Sequence, residues 1–363
     1  MLPPSPEAYI ADFNTGLDSW DASIKEKKEA RPLFAAVLHL AHGNIIGNMP
    51  LDVLDAYADA LKAAGAERID IYTTPAAWPD KTPAIIAKYD AVIAHIRQIG
   101  VKLGFDPTAD VRPVEGGFAV WKPGAIAAYT EMARRYQPEK FSVLHEPTAM
   151  NSKLHDKVTP QQWADFSSEA CASIAKVSPH TQCTVAVLLF ERAEFDALVK
   201  APGIQSIGFD IMGHGTDIIH YDNKGLIHQL AEIEHMVSAA RAAGKSLHIA
   251  ELGRQTWGYQ GSRGSNGASG STSSPYAPYD IGNARYLALD ERYFTTMVHF
   301  AAAHHFDSVQ LMRTTTFFTY APPGTNPSLV SGDYIAAVAK AVAAKKRTGM
   351  FDTYRKIVGS FGH

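Results

Sequence analysis

The chain contains only two cysteines among its 363 residues, Cys171 and Cys183. A small domain held together by a framework of disulfides needs four or more, so that class of protein is excluded. Free cysteine is among the residue types that are most often buried. We therefore expect two buried thiols.

An excess of one charge and long apolar runs are also missing. The formal net charge is −3, with 34 basic and 37 acidic residues. Without a basic stripe or an RNA-binding aromatic motif, we expect no nucleic-acid partner. No uninterrupted apolar run approaches the roughly 20 residues of a membrane span, and we expect no membrane partner. The sequence leaves the oligomeric state open.

The first residues, Met1-Leu2-Pro3-Pro4, do not resemble a signal peptide, because no charged segment precedes an apolar run. A mature chain whose signal had been removed would look the same. The compartment therefore stays open: secreted or periplasmic if a signal was removed, and cytoplasmic otherwise.

Short apolar runs alternate with amphipathic stretches along most of the chain. This pattern predicts eight strands, each followed by a helix, and the strands are apolar enough to be buried on both faces. The predicted strands are 33–39, 69–73, 101–105, 141–144, 183–190, 204–211, 247–250 and 308–312. The predicted helices are 51–64, 83–98, 124–136, 160–177, 193–199, 226–243, 283–305 and 334–345.

Eight such units favour an α/β fold in which a single (β/α)8 barrel closes on itself. An open dinucleotide-binding sheet is disfavoured, because no Gly-x-Gly-x-x-Gly follows the first strand. We predict a barrel over 31–345, an N-terminal extension over 1–30 that packs on it, and a C-terminal extension over 346–363.

The predicted connections from strand to helix are long, and in such barrels they surround the active site. They comprise 106–123, 145–159, 212–224 and 252–282. The last contains a Gly/Ser-rich segment, 261–274, for which a mobile lid and an inert insertion are equally plausible.

Two predicted strands are followed by a glutamate and a helix breaker. Strand 141–144 leads into His145-Glu146-Pro147, and strand 247–250 leads into Glu251-Leu252-Gly253. A carboxylate is costly to bury without a partner or a role. These are the fourth and seventh strands, so both carboxyls should lie on the same rim of the barrel. Such a pair suits glycoside hydrolysis, in which one carboxyl protonates the leaving oxygen and the other attacks the anomeric carbon or activates water.

Glutamates at the ends of strands four and seven of an eightfold barrel resemble those of the clan A glycoside hydrolases. The resemblance implies a retaining double displacement on a β-linked oligo- or polysaccharide. Glu146 would be the acid/base and Glu251 the nucleophile, with neither a cofactor nor a metal ion. Transglycosylation is the same chemistry with a sugar in place of water.

One residue departs from the pattern of that clan. Most members carry Asn-Glu-Pro at strand four, whereas this chain has His145 before Glu146. The asparagine usually hydrogen-bonds the sugar 2-hydroxyl, and a histidine can do so with a different reach and a titratable ring. The His-Glu pair is similar to that of the endo-β-mannanases. Their Trp-x-x-Arg-Pro pattern is absent, so no family is assigned.

Other polar and aromatic residues near the predicted strand ends are candidate carbohydrate contacts. Each sugar hydroxyl needs a polar partner, and the C–H faces of sugars lie against aromatic rings. A positive or donor group near Glu251 is expected to keep this carboxyl ionised, while burial raises the pKa of the acid. The substrate-binding candidates are His39, His42, Tyr72, Trp78, Asp106, Trp121, His145, Asp210, His214, Trp257, Arg313 and Phe317.

Two other functions stay open at this point. A metal-dependent barrel hydrolase or isomerase could use imidazole and carboxylate ligands. Against it, the first strand lacks a His-x-His motif and strand four lacks a ligating lysine. The candidate ligands would be His39, His42, His145, Glu146, His214 and Glu251. The second alternative, a barrel that binds saccharide without catalysis, is disfavoured by the intact glutamate pair.

Overall fold

The structure is a computed structural model that describes residues 6–43, 45–73, 78, 82–107, 116–213, 225–254, 287–320 and 332–362. Its eight strands are parallel and form a closed barrel in which each pairs with the next and the eighth pairs with the first. The predicted (β/α)8 barrel is therefore confirmed. The strands are β1 (Leu33–Val37), β2 (Arg68–Thr73), β3 (Lys102–Pro107), β4 (Lys140–His145), β5 (Gln182–Leu188), β6 (Ser206–Gly213), β7 (Ser246–Arg254) and β8 (Ser308–Leu311).

A layer of helices surrounds the barrel. One helix precedes β1, each strand is followed by at least one helix, and the short α5 is an additional helix directly after β4. Among the described residues, no helix is both long and apolar enough to cross a bilayer. The helices are α1 (Pro6–Ile24), α2 (Leu51–Ala64), α3 (Pro83–Gln98), α4 (Gly117–Tyr136), α5 (Pro147–Leu154), α6 (Pro160–Val177), α7 (Arg192–Leu198), α8 (Gly225–Ala242), α9 (Leu287–Ala303), α10 (Gly332–Ala343) and α11 (Gly349–Ser360).

The bounds of α2, α3 and α6 are those predicted, because their ends carry strong local signals. Gly65 ends α2 with a φ of 106°, a conformation that lets its N–H bond the last carbonyls of the helix. Thr82 and Thr159 cap α3 and α6 with their side chains, and each is followed by a proline at the first helical position.

The chain segments outside the eight units pack on the helical layer. In α1, the indole N–H of Trp20 donates to the Leu226 carbonyl at 2.8 Å, and its ring lies edge-on to Phe300 of α9. At the other end of the chain, α11 contacts α2 and α9. The predicted domain limits at 1–30, 31–345 and 346–363 remain predictions.

The expectation of two free thiols is wrong. Cys171 of α6 and Cys183 of β5 form a disulfide, with their Cα atoms 5.6 Å apart. Both residues are buried, as expected. The packing of α6 against β5 brings the two sulfurs into bonding distance, and the sequence spacing alone does not reveal it.

The barrel interior contains many polar side chains. Barrels of this class are usually filled by branched apolar residues. Here ionisable and amide groups replace part of that packing, and they come from six different strands. These buried side chains are Arg68, Asp70, Asp106, Lys140, His145, Asp210, His248 and Gln310.

Candidate active site

Two β-bulges orient the residues at the ends of β4 and β7. The register between β4 and β5 shifts between Ser142 and Leu144, and the register between β6 and β7 shifts so that Asp210 pairs with Glu251. An extra residue in a strand reverses the alternation of the side chains beyond it. His145 and Glu251 therefore face the same interior space as Asp210, at the C-terminal end of the barrel.

His145 is at the centre of this space. Its Nδ1 is 2.8 Å from Asp106 Oδ1, and its Nε2 is 3.1 Å from Asp210 Oδ2 and 3.6 Å from Glu251 Oε1. Burial alone would lower the pKa of His145, but the negative charges of Asp210, Asp106 and Glu251 outweigh it and raise this pKa well above the usual range. These carboxyl groups therefore favour the protonated form of the ring.

Glu251 accepts a short hydrogen bond from a tyrosine. The Tyr72 hydroxyl donates to Glu251 Oε1 at 2.6 Å, and the amide of Gln310 donates to the tyrosine oxygen at 3.1 Å. Because the phenol is itself held from the other side, it fixes the direction of the carboxyl. The whole residue is only 8% exposed.

The pKa of Glu251 reflects opposing effects. Burial raises it, and the negative charges of Asp210 and Glu146 raise it further, whereas His145 and Tyr72 lower it. The net result is a pKa of about 8. The donor groups expected beside Glu251 are thus present, but they only partly offset the effect of burial.

Glu146 has a different backbone setting. It directly follows β4, is half-buried, and has a φ of 48°, in the left-handed region that residues with a Cβ seldom adopt. Its N–H donates to the Ala186 carbonyl of β5 at 3.2 Å. Pro147 then begins α5, which fixes the direction of the chain after the glutamate.

The two glutamates influence each other electrostatically. Burial raises the pKa of Glu146, His145 and Lys153 lower it, and the negative charge of Asp210 raises it. The charge of Glu146 in turn raises the pKa of Glu251. The ends of β4 and β7 therefore contribute to one electrostatic environment.

His39, His42 and Arg313 lie on the β1–β8 side of the barrel. The His39 ring is edge-on to Tyr72, with centroids 5.9 Å apart, and its Nε2 contacts the Met312 carbonyl. Burial lowers the pKa of His39 to about 3, with further lowering by His42 and Arg313, so this imidazole is neutral. Within the described part of the chain, the buried Arg313 Nε has no hydrogen-bond partner.

Trp121 was predicted in a loop, and this prediction is wrong. It lies in α4, which begins seven residues earlier than predicted and continues through Pro123. The indole is buried against Phe118, Trp163 and Phe166, with ring centroids 5.0 to 6.0 Å away. The ring thus packs in an aromatic cluster, and the role of Trp121 as a sugar contact stays a prediction.

Two further aromatic candidates are also packing residues. Trp78 is 6% exposed and its ring lies against Tyr89 and Tyr136. Phe317 is fully buried, with its ring 5.2 Å from that of Tyr354 in α11. Both rings are thus used in packing, and their role as sugar contacts stays a prediction. His214, Trp257 and the segment 261–274 lie outside the described residues.

Sequence reasoning missed Glu191, which lies between β5 and α7. Its Oε1 accepts the Thr148 N–H at 2.7 Å, and its Oε2 accepts the Leu188 N–H at 2.8 Å. Burial raises its pKa to about 8, in spite of these hydrogen bonds. Glu191 thus ties the start of α5 to the end of β5 and fixes the chain beside Glu146. No motif marks it in the sequence.

Three side chains of the site carry atoms of the kind that coordinate metal ions. One ligand atom each from His145, Asp210 and Glu251 lies within 4.8 Å of the others. A metal-bound imidazole must be deprotonated at the ligating nitrogen. Proximity of three such atoms is by itself no evidence of a bound ion, so we do not assign these residues as metal ligands.

Comparison with known proteins gives a likeness in fold. No family model and no curated protein matches the chain. The exo-β-1,4-mannosidase Op5Man5 from Opitutaceae bacterium strain TAV5 is similar, with a TM-score of 0.60 at 8% identity over 92% of this chain. The match spans 62% of the length of that mannosidase. PbGH5A, a glycoside hydrolase family 5 enzyme from Prevotella bryantii B14, has a TM-score of 0.49 at 12% identity, covering 81% of this chain and 86% of that one. The likeness to the mannosidase thus confirms the expected barrel fold.

Proposed function

We propose that the protein is a retaining glycoside hydrolase acting on a β-linked oligo- or polysaccharide, with Glu251 as nucleophile and Glu146 as acid/base. The environment of Glu251 is the observation that carries the proposal. Its carboxyl accepts a 2.6 Å hydrogen bond from Tyr72 and faces the Nε2 of His145 at 3.6 Å. Both contacts favour the anion and fix its orientation, as attack on carbon requires.

In the first step, a Glu251 oxygen attacks the anomeric carbon while the bond to the leaving oxygen breaks. Glu146 transfers its proton to that oxygen, so the leaving group departs as a neutral alcohol. In the second step, the Glu146 carboxylate takes a proton from water, and the water oxygen displaces Glu251 from the anomeric carbon. Two inversions leave the configuration of the sugar unchanged.

The setting of Glu146 supports its role as the acid. An acid that works at neutral pH must keep its proton until the leaving oxygen needs it. Burial and the nearby charge of Asp210 raise the pKa of Glu146 in this way. As a whole residue, Glu146 is also more exposed than Glu251.

The substrates to test first are β-mannosides. The pair His145-Glu146 is similar to the endo-β-mannanase pattern, and a solved structure of the same fold bears the name of an exo-β-1,4-mannosidase. The latter likeness is one of fold, so β-glucosides, β-xylosides and the corresponding polysaccharides belong in the same panel.

The test is a screen of aryl β-glycosides and polysaccharides, followed by NMR identification of the first-formed anomer. The proposal expects a β-anomer from a β-glycoside, and unchanged turnover in the presence of a chelator. An α-anomer, or loss of turnover on metal removal with recovery on metal addition, would contradict the mechanism. Transfer to an added alcohol with the same configuration would identify transglycosylation. Absence of turnover on the whole panel would overturn the proposed activity.

A further inference from the structure

Five side chains of alternating charge run through the barrel interior from its N-terminal end toward the site. Arg68 Nε is 2.7 Å from Asp70 Oδ1, and Lys140 Nζ is 3.7 Å from Asp70 Oδ2 and 3.9 Å from Asp106 Oδ2. Asp106 Oδ1 is in turn 2.8 Å from His145 Nδ1. We call these five residues, Arg68, Asp70, Lys140, Asp106 and His145, the barrel ion column.

The column extends beyond the residues that sequence analysis singled out. Lys140 is the first residue of β4, so strand four does contain a lysine, but at the end far from the predicted glutamate. Arg68, Asp70 and Tyr72 occupy alternate positions of β2 and therefore lie on one face of that strand. This face leads from the start of the column to the tyrosine that holds Glu251.

Small residues make room for the buried ionic and imidazole groups. A Cβ at Gly104 would lie 1.9 Å from Asp70 Oδ1, and a Cβ at Gly208 would lie 2.4 Å from His248 Nε2. Real side-chain atoms do not approach each other so closely, so residues larger than glycine at these positions would displace the polar side chains. The backbone is therefore built around this polar interior.

Stability does not explain the column. Moving several charges out of water is costly, and well-packed apolar residues often replace a buried ionic network with no loss of stability. A role in orienting the residue at the end of the column explains better why these charged residues are buried. That end is His145, whose other ring nitrogen faces Asp210 at 3.1 Å and Glu251 at 3.6 Å.

We propose that His145 is a positioning residue: Asp106, itself paired with Lys140, holds its Nδ1–H, and its Nε2 is thereby held beside the carboxyl groups of Asp210 and Glu251. The proposal rests on the nucleophile role of Glu251 and deepens it. It also replaces the expectation that His145 binds a sugar hydroxyl. The residue is 3% exposed and both of its nitrogens face carboxyl groups, so neither is free for a sugar.

The surroundings of His145 favour its cationic form. The negative groups that face His145 outnumber the positive ones. The nearby imidazole of His248 does not add a positive charge, because burial lowers the pKa of His248 well below the usual range. The groups facing His145 are Tyr72 of β2, Asp106 of β3, Glu146 after β4, Asp210 of β6, and His248 and Glu251 of β7, with Lys140 behind Asp106.

The first experiment measures the protonation of His145 directly, in the unmodified protein. ¹⁵N NMR of histidine-labelled protein, with the resonances assigned through His145→Gln, is expected to show that both ring nitrogens of His145 stay protonated across the neutral pH range, where an ordinary imidazole loses its proton. His248 is the internal control, because it is buried in the same barrel with Ser206 as its hydrogen-bond partner. It should be neutral throughout. A neutral His145 anywhere in that range would overturn the proposal.

The second experiment removes the negative charge behind the ring. Asp106→Asn keeps the volume of the side chain, and the neutral form of His145 should then appear within the same pH range. On any substrate that the protein turns over, kcat should fall roughly 10- to 100-fold while KM stays within about threefold, as expected when a charged hydrogen bond that acts through Glu251 is lost. A rise in KM with kcat unchanged would instead identify a sugar contact and contradict the proposal.

The two proposals fail in distinguishable ways. If no glycoside is turned over, the proposed hydrolase function is wrong, but the NMR spectra still report whether the column holds His145 as a cation. If glycosides are hydrolysed and His145 is neutral, the hydrolase function stands and the positioning role is wrong. The unmodified protein decides this second point, even if Asp106→Asn does not fold.

Discussion

Glu146 and Glu251 have the same side chain, but the barrel holds them in opposite ways. Glu251 lies within β7, is 8% exposed, and is held by Tyr72 on one side and faced by His145 on the other. Glu146 lies just beyond β4, is half-buried, and is held through its backbone. The carboxyl of Glu251 is thus fixed at its oxygen atoms, whereas for Glu146 it is the backbone that is fixed, by its hydrogen bond to β5.

This difference fits the two tasks of a double displacement. A nucleophile must present one oxygen to one carbon, so loss of side-chain freedom before the substrate arrives is an advantage. An acid/base residue must donate a proton in one step and accept one in the next. Freedom of its carboxyl to move between a leaving oxygen and a water molecule is therefore an advantage for Glu146.

Removal of the charge at Glu251 should have the largest effect. Glu251→Gln keeps the size of the side chain but removes the nucleophile, so kcat/KM should fall by roughly 10⁴- to 10⁶-fold. The matched control is Glu169→Gln, in an exposed residue that pairs with Lys122. Its kcat/KM should be unchanged. If Glu251→Gln kept a tenth of the original kcat/KM, Glu251 would not be the nucleophile, and its fixed position would not serve catalysis.

Glu146→Gln should have a smaller effect that depends on the leaving group. Loss of general acid catalysis reduces the rate by roughly 10²- to 10⁴-fold when the leaving alcohol is basic. An aryl glycoside with an acidic phenol needs little protonation, so its bond cleavage should be much less affected. Rates measured over a series of phenols test this. An equal loss across the series would argue against an acid role.

The contacts of Glu251 should determine how kcat/KM depends on pH. Because the nucleophile must be ionised and its pKa is about 8, kcat/KM should fall as the pH drops below about 8. Tyr72→Phe removes a donor that lowers this pKa, so the acid limb should move to higher pH. The lost hydrogen bond to a charged group should also reduce kcat/KM by roughly 10- to 150-fold.

Asp210→Asn should shift the pKa of Glu251 in the direction opposite to the shift caused by Tyr72→Phe. It removes a negative charge that raises the pKa of Glu251, so the acid limb should move to lower pH. Profiles of kcat/KM against pH for the two variants and the original protein check both signs. Movement of the two limbs in the same direction would mean that a group other than Glu251 controls the profile.

The smallest effect on activity is expected from the disulfide. Replacement of both Cys171 and Cys183 by serine should lower the free energy of unfolding by about 2 to 4 kcal/mol, because the unfolded chain is less restricted. At temperatures where the variant stays folded, kcat/KM should stay within about twofold. Denaturant unfolding and the aryl glycoside assay measure the two quantities. A folded but inactive variant would link α6 to the geometry of the site.

The fold was predictable because its signals are local and repeated. Apolar strands of four to nine residues recur between helices whose ends carry caps, such as Gly65 and Thr159. The position of Glu146 after the fourth strand and of Glu251 in the seventh follows from that count. Among the predicted contacts, Tyr72, His145 and Asp210 surround Glu251, because the carboxyl ends of parallel strands meet on one rim. Asp106 lies on the other side of the His145 ring.

Features that depend on closure of the barrel could not be predicted. Lys140 and Arg68 begin their strands, where a charged residue is normally exposed, and only the closed barrel brings them onto one axis. The same holds for the disulfide, which depends on the packing of α6 on β5. Trp121 was misplaced because Pro123 resembles the first turn of a helix, whereas α4 passes through it.

The backbone of Glu146 has a consequence for engineering. A residue with a Cβ in the left-handed region is less stable there by about 1 to 2 kcal/mol, whereas glycine adopts that conformation freely. A library sorted for thermal resistance alone should therefore enrich Glu146→Gly and lose the proposed acid/base. Screens for robust variants of this protein need turnover as a second criterion at this position.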